Sequence, residues 1–308
     1  MATLYTYKSA NIRKTWLLMA AFFGVVIAIG WVFSQIYGNP GILYIAVAFS
    51  ILMNVISYWF SDKIVLALHR AEHVDLKSKP ELYRILENLT ITAGLPMPKF
   101  YIINDPAPNA FATGRNPEHA VVAVTTGLLE RLERSEMEGV LAHELSHIGN
   151  RDMLVSTVAV VLVGFISILS DMFMRSLWFG GMGGDDRDRG RAGGFLILIG
   201  VALSILAPIM ASLIHLAISR RREFLADSSG ALLTRYPEGL ASALQKIASY
   251  QRPLRSATNA TAHLFFENPF GADRPPAGGA RRTPWIVRIF STHPPIEERI
   301  AALERAQL

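Results

Sequence analysis

Four long apolar runs constrain the fold of this chain more than any other feature. They cover residues 16–33, 42–60, 153–173 and roughly 195–217. Each run is close to the ~20 residues that a helix needs to cross the hydrocarbon layer of a membrane. A buried helix of a large soluble domain could account for one such run, but four of them in a chain that is 51% hydrophobic and 18% charged favour lipid. The sequence therefore predicts an integral membrane protein with four transmembrane helices.

The composition excludes several other classes of protein. The 308 residues include no cysteine, so disulfides, thiolate metal sites and a cysteine nucleophile are all excluded. The formal net charge of +5 is not gathered into a basic tract with interleaved aromatic residues, which argues against nucleic acid as a partner. The first apolar run has no small-residue cleavage site and is followed at once by the second, so we interpret it as a membrane helix and not as a cleaved signal peptide.

Basic residues near the ends of the apolar runs predict the orientation of the chain. Lys8, Arg13 and Lys14 precede the first run, and three consecutive arginines at 220–222 follow the fourth. Because cytoplasmic flanks carry an excess of Lys and Arg, these residues favour the cytoplasmic side. The predicted organisation is a membrane hairpin at 1–61, a first part of a cytoplasmic domain at 62–152, a second membrane pair at 153–218 with a polar loop at 175–194, and a second part of the domain at 219–308.

The soluble parts are predicted to be mainly α with a small β-sheet. Ser135 and Glu138 have the spacing of a capping box, which places the start of one helix at Ser135. Residues 252–284 are rich in Pro, Gly and Ala and are interpreted as a mobile loop. The predicted elements are, in chain order, a helix near 81–90, strands at 99–104 and 119–127, the helix from Ser135, a helix near 238–250 and a last helix that opens at Pro294 and Pro295.

The sequence H-E-L-S-H at His143–His147 predicts a metal site on the helix that starts at Ser135. Positions i and i+4 share one helical face, so His143 and His147 can direct both imidazoles at one ion. Nitrogen ligands suit zinc, which keeps one position for water when it is catalytic. Glu144 is offset by ~100° around the helix, beside that water, and is the candidate general base. Chance occurrence of this spacing in a chain of this length is on the order of one percent.

A catalytic zinc site needs a third protein ligand on the same side of the membrane as the histidines. The first acidic residues after the fourth run are Glu223 and Asp227, again at i and i+4. We assign Glu223 to the metal and Asp227 to the free ring N–H of a histidine ligand. From spacing alone, a solvated helix face explains this pair about equally well. Glu267, His263 and His293 are rival candidates for the third ligand.

These motifs resemble the M48 family of integral-membrane zinc metallopeptidases, most closely its bacterial HtpX branch. The resemblance rests on His143–His147, on E-F-L-A-D at Glu223–Asp227, on P-N-A-F-A-T-G at 108–114 and on S-T-H-P-P at 291–295, and it spans nearly the whole chain. It implies a gluzincin-type zinc metalloprotease domain with one Zn²⁺ per chain. It also implies hydrolysis of misfolded or damaged membrane proteins, as quality control, at the cytoplasmic face of a bacterial inner membrane.

The resemblance also assigns two further groups of site residues. Asn109, Ala110, Phe111 and Ala112 are expected beside the cleft, near a strand that pairs with extended substrate, and His293 is expected to approach the reacting carbonyl. From the residues alone, 109–112 could be a simple turn, and His293 could be an exposed residue or an N-terminal cap. The remaining histidines are interpreted as surface or membrane-interface residues: His69, His73, His119, His215 and His263.

Two other functions stay open at this point. One is a Ste24-like protease that processes lipidated C-termini, although the related prenyl-protein proteases have more than four membrane spans. The other is a non-proteolytic membrane scaffold, or pseudoprotease, that keeps its metal for structure. A purely structural zinc is normally closed by four protein ligands, and Glu144 would have no structural duty, so the enzyme is favoured.

Overall fold

The computed structural model describes residues 4–179, 220–250, 252–258, 261, 264–269 and 294–305. Within these ranges the protein is mainly helical with one small mixed β-sheet. Its helices and strands are, in chain order, α1 (Leu4–Tyr37), α2 (Gly41–Trp59), α3 (Ser61–Leu68), β1 (Glu72–Val74), α4 (Pro80–Ala93), β2 (Lys99–Ile103), β3 (Ala110–Thr113), β4 (Val121–Thr125), α5 (Thr126–Arg131), α6 (Arg134–Asn150), α7 (Asp152–Phe179), α8 (Arg220–Thr234), α9 (Pro237–Ser249) and α10 (Ile296–Arg305).

The first two apolar runs form an antiparallel helical hairpin. Both α1, over Ser9–Gln35, and α2, over Gly41–Trp59, are long and apolar enough to cross a membrane. The two helices approach closely at Gly30, where an added Cβ would overlap the Cβ of Ala46. Small residues at such a crossing let helix backbones pack tightly in lipid, where van der Waals contact is the main source of association.

The third apolar run lies in α7, and the fourth lies outside the described residues. The axes of α6 and α7 differ by 84°, so α7 leaves the soluble domain at a sharp corner and would count as a third span only together with α6. The start of α7 packs on α1 and α2 through a buried apolar cluster that includes Leu18, Phe22, Met53, Leu154 and Val158. Two membrane helices are therefore supported, and four spans remain a prediction.

The sheet has the strand order β1-β2-β4-β3. The predicted strands at 99–104 and 119–127 are confirmed as β2 and β4, which pair in parallel, and each has an antiparallel neighbour at its outer edge. Neither β1 nor β3 was expected from the sequence. All four residues of β3 are buried, so the strand lacks the polar–apolar alternation by which a short strand is recognised.

The start of α6 differs from the prediction. The capping residues are Glu133 and Glu136, and the backbone N–H of Glu133 donates to the Glu136 carboxylate over 2.8 Å. Ser135 lies inside the helix, and Glu138 forms an exposed ion pair with Arg134 instead. Glu133 is not the Ser or Thr that the capping pattern names, so the sequence pattern selects Ser135 whereas packing places the start of the helix at Glu133. The buried Glu136 carboxylate also accepts hydrogen bonds from Ser242 and Lys246 of α9, over 2.6 and 2.8 Å.

His69, expected at the surface, is buried at the end of α3. Its ring packs edge-on against Phe265 and lies 5.7 Å from the ring of Phe111, measured between centroids. Its Nδ1 is 2.9 Å from Oγ of Ser256. Burial lowers the pKa of His69 to about 4, against the opposing charge of Asp105. His73 and His119 are exposed as expected, whereas His215 and His263 lie outside the described residues.

Candidate metal centre

The structure brings together the three predicted metal ligands. Nε2 of His143 and Nε2 of His147 are 3.1 Å apart. The Glu223 carboxylate places Oε2 at 3.7 Å from the first of these nitrogens and Oε1 at 3.8 Å from the second. One ligand atom from each residue lies within 4.8 Å of the other two. Ligand atoms at these separations can share a single ion.

Two helices supply this geometry. The histidines are one turn apart on α6, and α8 carries Glu223 and Asp227 against the same face. The helices pack closely at Gly230, where an added Cβ would lie 3.0 Å from the backbone nitrogen of His143. A larger residue there would push α8 away from α6. The absence of a side chain at Gly230 therefore lets the carboxylate reach the histidine rings.

The outer nitrogen of each histidine ring faces a carboxylate. Nδ1 of His143 is 2.9 Å from Oδ1 of Asp227, and Nδ1 of His147 is 3.2 Å from Oδ2 of Asp152. A carboxylate next to Nδ1 assigns the ring proton to that nitrogen. When the rings are neutral, both Nε2 atoms then present lone pairs to the same point as the Glu223 carboxylate. Three converging acceptors repel one another unless a cation lies between them, and this nitrogen and oxygen donor set fits zinc.

Burial and neighbouring charges shift the pKa values of the two histidines. Burial lowers the pKa of His143 to about 4, although the hydrogen bond to Asp227 opposes the shift. Burial also acts to lower the pKa of His147, but Asp152 and Glu223 outweigh it and raise that pKa to about 9. A metal ligand must be unprotonated, so a cation bound at Nε2 of His147 would have to displace a proton from that ring.

Asp227 is held by an arginine that sequence reasoning missed. Arg299 on α10 is fully buried and donates two hydrogen bonds to the Asp227 carboxylate, at 2.8 and 2.7 Å. Burial would raise the pKa of Asp227, but the charge of Arg299 lowers it to about 2. The pair therefore stays charged and keeps an acceptor next to His143. An arginine one turn into a helix gives no local signal of such a contact.

Glu144, the predicted general base, is buried and lines a cleft beside the metal ligands. His147, Glu223 and Ala112 line the same cleft. The carboxylate of Glu144 is thus on the side of α6 that faces this opening, as the ~100° offset from His143 predicts. A carboxylate in this position can exchange a proton with a water beside the metal ligands.

A short segment, Leu264–Pro269, covers one side of the cleft. Leu264, Phe265 and Phe266 are buried, and the Phe266 ring lies edge-on to His143 with 4.9 Å between centroids. The backbone N–H of Phe266 donates to the carbonyl of Ala110 over 2.8 Å. These residues belong to the stretch that was predicted to be a mobile loop. The two adjacent phenylalanines, Phe265 and Phe266, were the sequence signal that part of this stretch is buried against the site.

The four residues at 109–112 have different surroundings. The Asn109 side chain donates to the carbonyl of Glu267 and accepts from its N–H, at 2.9 and 3.2 Å. Ala112 lines the cleft, whereas Ala110 and Phe111 belong to buried apolar clusters. Residues 110–112 belong to β3, and Asn109 immediately precedes that strand, so this stretch is not a simple turn. Glu267, a rival third ligand, is outside the three-residue metal group found among the described residues, and His293 and His263 lie beyond those residues.

Apolar helices beside a buried H-E-x-x-H helix with a convergent carboxylate define the class of membrane metallopeptidases. Comparison of the sequence with known proteins identifies the family within this class. Residues 76–307 match the model of peptidase family M48. The chain is 46% identical over 305 residues to a protease HtpX homolog of Caldanaerobacter subterraneus, with 98% of this chain and 97% of the relative covered. It is 48% identical over 295 residues to one of Pyrococcus furiosus, at 95% and 94% coverage. The chain belongs to peptidase family M48, among its HtpX-type proteases.

A solved structure shows a related fold. The crystal structure of S. mikatae Ste24p has a TM-score of 0.52 and 18% sequence identity, and the likeness covers 97% of this chain and 67% of that one. At this identity the similarity concerns the fold alone. It shows that the arrangement of this chain occurs in a larger protein of known structure.

Proposed function

We propose that this protein is a zinc-dependent endopeptidase that cleaves misfolded or damaged membrane proteins at the cytoplasmic face of a bacterial inner membrane. The convergence of two Nε2 lone pairs and the Glu223 carboxylate on one point, beside Glu144, carries the proposal. His143, His147 and Glu223 are the zinc ligands, and Asp227 fixes the ring proton of His143.

Bound zinc would supply Lewis-acid chemistry to the site, polarising the scissile carbonyl and favouring ionisation of a water. Glu144 accepts a proton from the attacking water and then donates it to the leaving amine as the amide C–N bond breaks. Burial of Glu144 keeps the carboxylate close to the reacting atoms. His293 is proposed to stabilise the negative charge that develops on the carbonyl oxygen.

Extended substrate is proposed to pair with the backbone of Ala112. In an antiparallel ladder successive residues direct their backbone groups alternately toward and away from the neighbouring strand. Asn109 faces β4, since the N–H of Thr125 donates to its carbonyl over 3.0 Å, and Ala110 faces outward to Phe266. By alternation the backbone of Ala112 also faces outward, and this residue lines the cleft. Backbone pairing there gives affinity with little sequence selectivity, which suits damaged proteins of varied sequence.

The position of β3 supports membrane proteins as substrates. Oγ1 of Thr113, the last residue of β3, is 2.9 Å from Oγ1 of Thr157 in α7. Two residues further on, the Arg115 guanidinium packs over the Trp59 ring at the end of α2. Strand β3, with which the substrate is proposed to pair, thus ends against two apolar helices. A substrate anchored in the same membrane reaches it at a high effective concentration.

Substitution of Glu144 tests the proposal. The purified Glu144→Ala variant should retain zinc but lose cleavage of an unfolded protein in detergent, with a fall in rate of about 10²-fold or more because proton transfer is lost. Glu138→Ala, at a half-buried glutamate on the same helix, is the matched control and should cleave normally. A chelator should abolish wild-type cleavage and added zinc should restore it. Normal cleavage by Glu144→Ala would refute the mechanism.

Two other functions make different predictions. A Ste24-like processing protease would be inhibited by a prenylated peptide in competition with the unfolded protein, whereas the proposed enzyme would not. A non-proteolytic scaffold would bind zinc and show no chelator-sensitive cleavage. Identity of 45–48% to HtpX homologs over nearly the whole chain, against 18% to Ste24p, favours the broad-specificity enzyme.

A further inference from the structure

Asp152, the first residue of α7, contacts the second metal-binding histidine. Its Oδ2 is 3.2 Å from Nδ1 of His147. The carboxylate is buried, and its other oxygen, Oδ1, receives two donors from different parts of the chain. Asn11 Nδ2 lies 2.6 Å from this oxygen and Arg222 NH1 lies 3.5 Å from it. Asp152 therefore connects His147 on α6 to side chains of α1 and α8.

Asn11 is a fully enclosed residue of the first membrane helix. It is 2% exposed, and its amide nitrogen donates both to Asp152 and to the backbone carbonyl of Asn150 over 3.0 Å. Both partners are acceptors, so the orientation of this amide is determined by its surroundings. Its two hydrogens join the last residue of α6 to the first residue of α7.

This junction is a strained corner of the chain. Arg151, between the two residues that Asn11 binds, has a φ of 57° in the left-handed region, which non-glycine residues adopt rarely. The helices it separates turn by 84°. A side chain that binds both flanks of such a corner fixes the direction in which the Asp152 carboxylate points. Apolar contacts would be sufficient to pack α1 against α7, so packing alone does not account for a buried asparagine at this position.

We propose that Asp152 is a positioning residue for the metal ligand His147 and that Asn11 of the first membrane helix holds Asp152 in place. The N-terminal helix is then a structural part of the metal centre as well as a membrane anchor. This inference rests on the proposed metal site. It predicts that metal affinity depends on one polar contact between α1 and the soluble domain.

The isosteric variant Asn11→Asp tests this contact. It keeps the size of the side chain but replaces the donor amide with a second carboxylate beside Asp152, so the His147 ring loses its fixed partner. The full-length protein in detergent is loaded with Zn²⁺ in competition with a chromogenic chelator, and separately with Co²⁺ for its visible spectrum. We expect affinity for both ions to fall about 10- to 100-fold, as for other groups that orient metal ligands, with a changed Co²⁺ spectrum.

Thr15→Val is the matched control. Thr15 lies one turn further along the same buried face of α1, and its hydroxyl donates to the carbonyl of Asn11. This variant should bind both ions as the wild type does. A second pair addresses Asp152 directly. Asp152→Ala should weaken binding about as much as Asn11→Asp. Asp152→Asn should fall between Asp152→Ala and the wild type, because its single amide oxygen can accept either from Nδ1 of His147 or from Asn11 but not from both.

The outcomes separate this inference from the proposed function. If the wild type binds neither ion, the proposed metal site is wrong and the inference falls with it. If the wild type binds but Asn11→Asp and Asp152→Ala have wild-type affinity and spectra, only the inference is overturned. Should Asn11→Asp fail to fold, the comparison of Asp152→Ala with Asp152→Asn decides, and equal affinities for those two variants and the wild type would refute the positioning role.

Discussion

At the scale of single residues, the candidate metal centre depends on charged side chains that contact the proposed ligands, directly or through another side chain, on the side away from the metal position. Arg299 is an example, because its guanidinium binds both oxygens of Asp227, donates to the carbonyl of Phe266 over 3.1 Å and packs over the Phe266 ring. One buried cation therefore fixes the carboxylate next to His143 and also holds the segment that covers the cleft. A planar, bidentate donor is required for this geometry, and a lysine could not reproduce it.

We predict that Arg299→Met destabilises the folded protein by about 3–5 kcal/mol, because the buried Asp227 carboxylate loses its counter-charge. The measurement is thermal unfolding in detergent. Arg305→Met, at an exposed arginine of the same helix, should change the unfolding temperature little. The double variant Arg299→Met with Asp227→Asn should recover part of the loss, and an unchanged melting temperature in Arg299→Met would contradict the assignment.

At the scale of elements, α6 is positioned by polar contacts at its start and by close helix packing at its centre. Glu136 joins the N-terminus of α6 to α9 through Ser242 and Lys246, and Gly230 lets α8 approach the histidines. The hydrogen bonds from Lys246 and Ser242 lower the pKa of Glu136 although burial opposes them. The metal helix is thus fixed at both of its ends, by α9 at Glu136 and by α1 at Asn150.

Glu136→Gln should reduce the stability of the fold by about 1–3 kcal/mol at neutral pH, since a charged hydrogen-bond acceptor is lost. The folded-state pKa of Glu136 is depressed, so its contribution is complete above the usual glutamate pKa of about 4.3 and is lost as the pH falls through the lower folded value. The difference in unfolding temperature between wild type and variant should shrink below about pH 4. Glu138→Gln on the exposed face serves as the control. A difference that is constant with pH would contradict the ion pair.

At the scale of the whole molecule, the metal centre joins parts of the chain that are far apart in sequence. Its proposed ligands come from α6 and α8, and the groups that contact them, directly or through another side chain, come from α1, α7 and α10. An ion that binds the folded state and not the unfolded chain stabilises the fold by an amount that grows with the logarithm of its concentration over the dissociation constant. The apolar helices and the soluble domain should therefore unfold more cooperatively with the metal bound.

Metal removal should lower the unfolding temperature of the wild type. Binding at 100 times the dissociation constant contributes about 2.7 kcal/mol, so a chelator should shift thermal unfolding by several degrees and zinc should reverse the shift. Glu223→Ala, which lacks one ligand, should respond weakly to either addition. Equal responses of the wild type and Glu223→Ala would argue against Glu223 as a ligand.

Local patterns in the sequence were sufficient for the hairpin of α1 and α2, for strands β2 and β4, and for the candidate ligands that share one helix. His143 and His147 are four residues apart, as are Glu223 and Asp227. Helical geometry alone places the two members of each pair on the same face of their helix. Apolar run length predicted the hairpin of α1 and α2, and β-branched runs predicted β2 and β4. The capping box was misplaced by two residues because Glu133 is not the Ser or Thr that the pattern names, and the contact of Glu136 with α9 favours the observed start of the helix.

The sequence by itself determined the membrane character, the metal-binding helix and its donor types, since each is encoded within a few consecutive turns. The tertiary structure alone decided which distant side chains complete the site: Asp152 with Asn11, Arg299 with Asp227, and Phe266 with β3. These partners are separated by 72 to 156 positions, and nothing in the neighbourhood of one residue specifies the other. Such pairs form because a buried polar group must find a partner wherever folding brings one close.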